Sequence, residues 1–118
     1  MKYKQRDIVL VPFPFSDLSS MKKRPVLIVS NNGYNENFKD VVVCVITSNQ
    51  FVDLYSIPIS DHDLELGILP EPSVIKSHKL FTIQKDQILK KFSTLSVQCF
   101  DKVLEKIDKL IKGEELKN

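Results

Sequence analysis

The sequence predicts a mainly β protein, a small and highly curved sheet or barrel with one C-terminal helix packed on it. Two observations predict it. Strand-length runs of β-branched and aliphatic residues recur through the first two thirds of the chain, separated by Asn, Gly, Asp and Pro. From Ser96 onward the apolar period changes from that of a strand to that of a helix.

Ile8–Val11 opens the set and is followed by "PFPFSD", whose two prolines are expected to stop regular pairing. Val26–Val29 and Val41–Ile46 are continuous apolar runs, as expected of strands covered on both faces or curled into a barrel. Tyr55–Ile59 alternates polar and apolar, and Pro58 makes it an edge strand because it lacks a ladder donor. A fifth strand is expected over Ser73–Ile83, after the breakers Pro70 and Pro72. The stretches "NNGYNENFKD" and "SDHDLELGILPEP" have loop composition, and "DHDLEL" has room for one short helical turn. In the last segment Phe100, Val103, Leu104, Ile107, Leu110 and Ile111 fall on one helical face, with Ser96 as N-cap and Gly113 at the C-terminal end.

With 118 residues, residues 1–118 form a single domain with one real core. Hydrophobic content of 42% and charged content of 27% are those of a soluble globular protein. A net charge of +2 is too small for nucleic-acid binding by bulk electrostatics, so any such binding needs a local patch. No stretch approaches the roughly 20 apolar residues of a membrane span, which argues against a membrane partner. The basic start runs straight into patterned strand without a cleavage site and does not read as a signal peptide. Cys44 and Cys99 stand apart in apolar surroundings, as buried thiols of a reducing compartment do, and the cytoplasm is the expected location.

Several chemistries find no support. "SDHDLE" gathers Asp61, His62, Asp63 and Glu65, but the chain has one other histidine and no cysteine pair to complete a metal site. The three glycines do not form a phosphate loop, and no GxSxG elbow marks a serine nucleophile. What remains is a set of polar residues at strand ends. Of seventeen lysines and arginines only Arg6 and Arg24 are arginine, and Arg24 follows Lys22 and Lys23 where the second strand begins. A planar, permanently charged fork at that place suits a phosphate. Thr47, Ser48 and Asn49 close the third strand, and Lys76, Ser77, His78 and Lys79 interrupt the fifth. Each is also compatible with plain solvation of a strand end.

"DIVLVPFPFSDLSSMKKRPVLIVSN", then "DVVVCVITS", then "SVIKSHKLFTIQKDQILKKFSTLS" and the closing helix resemble the PemK/MazF family of toxin endoribonucleases over nearly the whole chain. The resemblance implies an SH3-like small β-barrel (PemK/MazF/CcdB-like) with a C-terminal α-helix, assembled as a homodimer. It implies cleavage of single-stranded RNA at short motifs without metal or other cofactor, by attack of a 2′-OH that leaves a 2′,3′-cyclic phosphate and a 5′-OH. It also implies a cognate antitoxin protein that occludes the RNA groove.

Carried over position by position, Arg24, Thr47 and His78 are the expected catalytic residues. Ser48, Lys76, Lys23, Asn49 and Phe15 are expected to contact RNA, although one of Phe13 and Phe15 is expected to pack in the core instead. Lys76 and His78 stand where one branch of the family has Arg-x-Asp, Phe81 where many members have arginine, and Arg6 where glycine is usual. Arg24 stays protonated and is expected to stabilise transition-state charge. His78 is the expected proton carrier if it faces Arg24, with Thr47 and Lys76 positioning the phosphate. The altered positions leave two alternatives open: a member that binds nucleic acid or an antitoxin without cutting, and a relative that acts on DNA topology enzymes by protein contact.

Overall fold

The computed structural model describes residues 2–13 and 22–113, so Phe15 and the expectation attached to it lie outside the described residues. Among the described residues there are six strands: β1 (Asp7–Phe13), β2 (Lys22–Ile28), β3 (Asp40–Thr47), β4 (Ser56–Ile59), β5 (Ser73–Gln84) and β6 (Lys90–Thr94). They pair antiparallel in the order β4-β5-β3-β2-β1-β6. The sheet curls so that its two edges approach. Leu64, beyond β4, bridges Leu95, beyond β6, and backbone bonds Glu65 N to Thr94 O (2.8 Å) and Ser96 N to Asp63 O (2.7 Å) secure the seam.

Alternation along the strands sorts the side chains into two apolar layers. Ile8, Leu27, Cys44, Ile46 and Ile75 face the concave side with Leu95 and the helical residues Cys99, Phe100 and Val103. Val9, Val11, Val26, Ile28, Val41 and Val43 form the opposite layer with Ile83 and Ile88. Burial on both faces is why these strands read as continuous apolar runs. Burial also pushes the thiols of Cys44 and Cys99 up to about 12 and about 11, so neither is a nucleophile at neutral pH.

The helix α2 (Val97–Lys112) begins at Ser96, whose side chain accepts from Cys99 N. It ends at Gly113 in the left-handed conformation (φ 78°), where glycine carries no Cβ penalty. Pro58 sits on β4, an edge strand as expected. The short turn expected in "DHDLEL" is a 3₁₀ turn at Asp61–Asp63.

Three features depart from the sequence expectation. β1 runs on through Pro12, paired with Lys23, because β6 pairs with β1 only as far as Leu10 and leaves that side open for a residue with no N–H. "NNGYNENFKD" contains a short helix, α1 (Asn32–Asn37). Side chains build it in place of propensity: Asn31 accepts from Tyr34 N at 2.8 Å, Asn35 is buried, and Tyr34 stacks on Phe38 at 4.3 Å. β6, "KKFST", carries a single large apolar residue and shows no strand period in sequence.

Arg6, where the resembling family has glycine, adopts φ 79°. That conformation costs a side-chain residue about 1–2 kcal/mol. Its guanidinium nitrogen Nη1 offsets the cost with bonds to Glu65 Oε2 (2.6 Å) and Leu95 O (2.8 Å), which tie β1 to the seam. Arg6→Ala and Arg6→Gly both lose these bonds, but only glycine relieves the backbone. Urea unfolding is expected to find Arg6→Gly the more stable of the two by about 1 kcal/mol; equal stabilities would refute the strain.

Candidate anion-binding site

The register of β2 on β3 pairs Val26 with Val45, and continued by two residues it sets Arg24 opposite Thr47. β5 pairs Lys76 with Val45. Arg24, Thr47 and Lys76 therefore share one face of three adjacent strands. They line a hollow with Pro25, Val45, Ile46 and Lys79. Among the described residues its wall holds three cations and a hydroxyl and no carboxylate. Arg24 is half-buried and, with Pro25 and Ile46, also lines a second hollow, whose other residues include Lys23, Ser48, Glu71, Ser73, Ile8, Leu10 and Phe92. Lys23 and Ser48, expected beside the first hollow, thus serve the second, because their side chains alternate to the other face of their strands.

Lys79 reaches the wall because β5 bulges. Between Cys44 and Val45 the partner on β5 jumps from Leu80 to Lys76, which leaves Ser77, His78 and Lys79 without partners on β3. Such an insertion re-aims side chains where a ladder is broken. The "KSHK" interruption in the apolar run was the sequence trace of this bulge.

The structure directs His78 elsewhere than toward Arg24. Its Nε2 lies 3.6 Å from Asp53 Oδ2, and its ring lies 5.5 Å from that of Tyr55. Nδ1 is buried and meets no hydrogen-bonding partner among the described residues. His78 is not among the residues that line the hollow. Asn49 is engaged as well: its N–H donates to Thr47 Oγ1 (3.1 Å) and its Oδ1 accepts from Phe51 N (3.0 Å). It shapes the loop after β3.

Two residues absent from the sequence expectation stand out. Asp53 accepts from Tyr55 N (2.9 Å) and Ser56 Oγ (2.8 Å), and its Oδ2 faces Lys76 Nζ at 3.5 Å. Burial pushes the Asp53 carboxyl up, but the two hydrogen bonds and the nearby His78 and Lys76 together hold it below its ordinary value. Phe51 is 68% exposed, yet its loop is pinned: Lys76 Nζ donates to its carbonyl (2.7 Å) and stands 5.2 Å from its ring centroid, while Gln50 bonds Ser48 O and Pro72 O. An exposed aromatic after a strand-ending "TSN" was the available signal for Phe51. None existed for Asp53, whose partners on β5 lie more than twenty residues away.

A curled antiparallel sheet with a terminal helix, carrying a cationic hollow at the ends of its central strands, defines a small β protein with a candidate anion site. The chain belongs to the PemK-like, MazF-like toxin family of type II toxin-antitoxin systems, which it matches over residues 4–111. No curated protein matches it significantly in sequence. Among solved structures it resembles an endoribonuclease in complex with its cognate antitoxin from a mycobacterial species, with a TM-score of 0.77 and 16% identity, covering 98% of this chain and 99% of that one. It is similar to the Mycobacterium tuberculosis toxin MazF-mt6, with a TM-score of 0.71 and 21% identity over 91% of this chain and 97% of the other. It is also similar to MazE-MazF from Deinococcus radiodurans, with a TM-score of 0.76 and 14% identity over 95% and 98%. At these identities the likeness is one of fold.

Proposed function

We propose that the chain is an endoribonuclease that cleaves single-stranded RNA without metal, and that a cognate antitoxin blocks it. The observation that carries this reading is the hollow at Arg24, Thr47, Lys76 and Lys79, three cations and a hydroxyl around a space whose wall has no carboxylate among the described residues. Membership of a toxin family supports it, as do similar structures described as endoribonucleases and as toxin–antitoxin complexes.

In the reaction the ribose 2′-oxygen attacks the adjacent phosphorus and the bond from phosphorus to the 5′-oxygen breaks. The proton lost from the 2′-OH is returned overall to that 5′-oxygen, leaving a 2′,3′-cyclic phosphate and a 5′-OH. The pentavalent intermediate carries more negative charge on its free oxygens than the substrate does. Arg24 faces that charge with donors set in a fork, and Lys76 and Lys79 add point charges beside it. Thr47 supplies a neutral hydroxyl to hold a phosphate oxygen. Lys23 and Ser48 would receive the neighbouring part of the RNA backbone in the second hollow, which Arg24 also lines. Like the family it belongs to, the chain is read as acting as a homodimer.

Digestion of single-stranded RNA by the purified protein in EDTA tests the reading. Fragments ending in cyclic phosphate are expected, and intact RNA at micromolar protein would overturn it.

Phe51 presents its ring face beside the Lys76 end of the hollow, where a nucleotide flanking the scissile phosphate would pass. Base stacking on an aromatic contributes about 1–3 kcal/mol, so Phe51→Ala is expected to weaken RNA binding about tenfold. The chain contains no tryptophan, which makes Phe51→Trp a sole reporter. Its fluorescence is expected to be quenched by RNA, and undiminished emission at saturating RNA would rule out stacking there.

A further inference from the structure

The turn that carries Asp53 is closed by its own side chains. Asp53 Oδ1 accepts from both Tyr55 N and Ser56 Oγ, while Asp53 N donates back to Ser56 Oγ at 3.1 Å. This leaves Oδ2 for two side chains of β5, the Lys76 ammonium at 3.5 Å and the His78 imidazole at 3.6 Å. Lys76 Nζ finds its other acceptors in the same turn, Phe51 O at 2.7 Å and Ser56 Oγ at 3.0 Å. Each of these acceptors therefore belongs to the segment that the Asp53 carboxylate folds. His78 lies in the bulge next to Lys79, so the same carboxylate also anchors the backbone that delivers Lys79 to the hollow.

We propose that Asp53 is a positioning residue for the anion hollow: its carboxylate seats Lys76 directly and, through His78, fixes the bulge that presents Lys79. This rests on the reading of the hollow as the RNA-cleaving site. A carboxylate close to such a site would by charge alone repel RNA, so its presence is a cost unless it organises the cations. A flexible ammonium on a four-carbon stem has no preferred direction of its own, and tethering it removes entropy that the reaction would otherwise have to overcome. Burial pushes the Asp53 carboxyl up, and the hydrogen bonds from Ser56 and Tyr55, followed by the proximity of His78 and Lys76, outweigh it. Its lowered titration agrees with a carboxylate held among these groups.

The test is Asp53→Asn, which keeps an oxygen for Tyr55 N and Ser56 Oγ and puts a neutral NH2 donor in place of the charged Oδ2 that faces Lys76 and His78. The thermal midpoint is expected to stay unchanged while the single-turnover cleavage rate falls about tenfold, the equivalent of about 1.4 kcal/mol in the barrier. RNA binding is expected to hold or tighten, because a negative charge is gone. In a Lys76→Met background the same substitution is expected to add little, the non-additivity of two residues that act as a unit. A rate for Asp53→Asn equal to or above that of the wild type, or full additivity with Lys76→Met, overturns the proposal. A second readout needs no cleavage: carbon NMR of the Asp53 carboxyl is expected to show a titration midpoint that rises in Lys76→Met and in His78→Ala. If the wild type cuts no RNA, the functional reading fails by itself, and this titration still decides whether Asp53 holds the two side chains, an unmoved midpoint overturning it.

Discussion

Arg24→Ala is expected to lower the cleavage rate about a thousandfold while leaving the fold intact, the size of effect seen when a preorganised donor to a developing oxyanion is removed. The expectation rests on where Arg24 stands. It lines both hollows and lies opposite Thr47 at the end of the central strands. Around it Pro25, Val45 and Ile46 form a low-dielectric wall, where a fixed positive charge acts more strongly than it would in water. Lys76 and Lys79 remain in the variant, so RNA still binds, and the loss falls on the rate and not on affinity. Arg24→Lys restores charge without the planar fork and is expected to recover only part of the rate. Single-turnover cleavage, with circular dichroism to confirm the fold, checks this. A rate for Arg24→Ala within threefold of the wild type would remove the arginine from the mechanism.

The second large effect concerns stability. Phe100 is 3% exposed and packs α2 into the concave layer with Ile8, Leu27 and Leu95. Truncating a buried phenylalanine costs about 3–5 kcal/mol, from lost transfer energy and from the cavity left behind. That is a large share of the roughly 5–15 kcal/mol by which a domain is stable, so Phe100→Ala is expected to lower the thermal midpoint by on the order of 10–20 °C. Leu104 and Ile111 lie on the same helix but are exposed, and their alanine variants are expected to change stability by about 0.5 kcal/mol or less. Calorimetry on the three variants separates the buried face from the open one. A midpoint for Phe100→Ala as close to wild type as that of Ile111→Ala would show that α2 is not part of the core.

Much of this architecture was legible in the residues themselves. Val26–Val29 and Val41–Ile46 announced central strands because apolar layers cover both of their faces. Ser96 and Gly113 marked the helix because capping is local chemistry that neighbours in sequence decide. Pro58 placed β4 at an edge for the same reason. α1 and β6 were not legible, since α1 is built by the side chains of Asn31 and Asn35 and β6 is recruited by pairing with β1 across most of the chain length.

The candidate site divides along the same line. Arg24, Thr47 and Lys76 could be named because a recurring motif fixes their places at strand ends, and the register then brings them to one face. The direction of His78 could not be foreseen, because a bulge of three residues turns it toward a carboxylate from the loop before β4. Asp53 itself has no neighbour in sequence that hints at Lys76. Its role exists only once β4 has paired with β5.

The account stands on a scissile phosphate held at Arg24 and attacked by the 2′-OH beside it. The most direct measurement is cleavage of a defined single-stranded RNA in which the nucleotide 5′ of the cut carries 2′-deoxyribose. The account predicts that this substrate binds as the parent RNA does and stays intact at that linkage, while the parent yields a cyclic phosphate there. Cleavage of the 2′-deoxy linkage at the parent rate would contradict it.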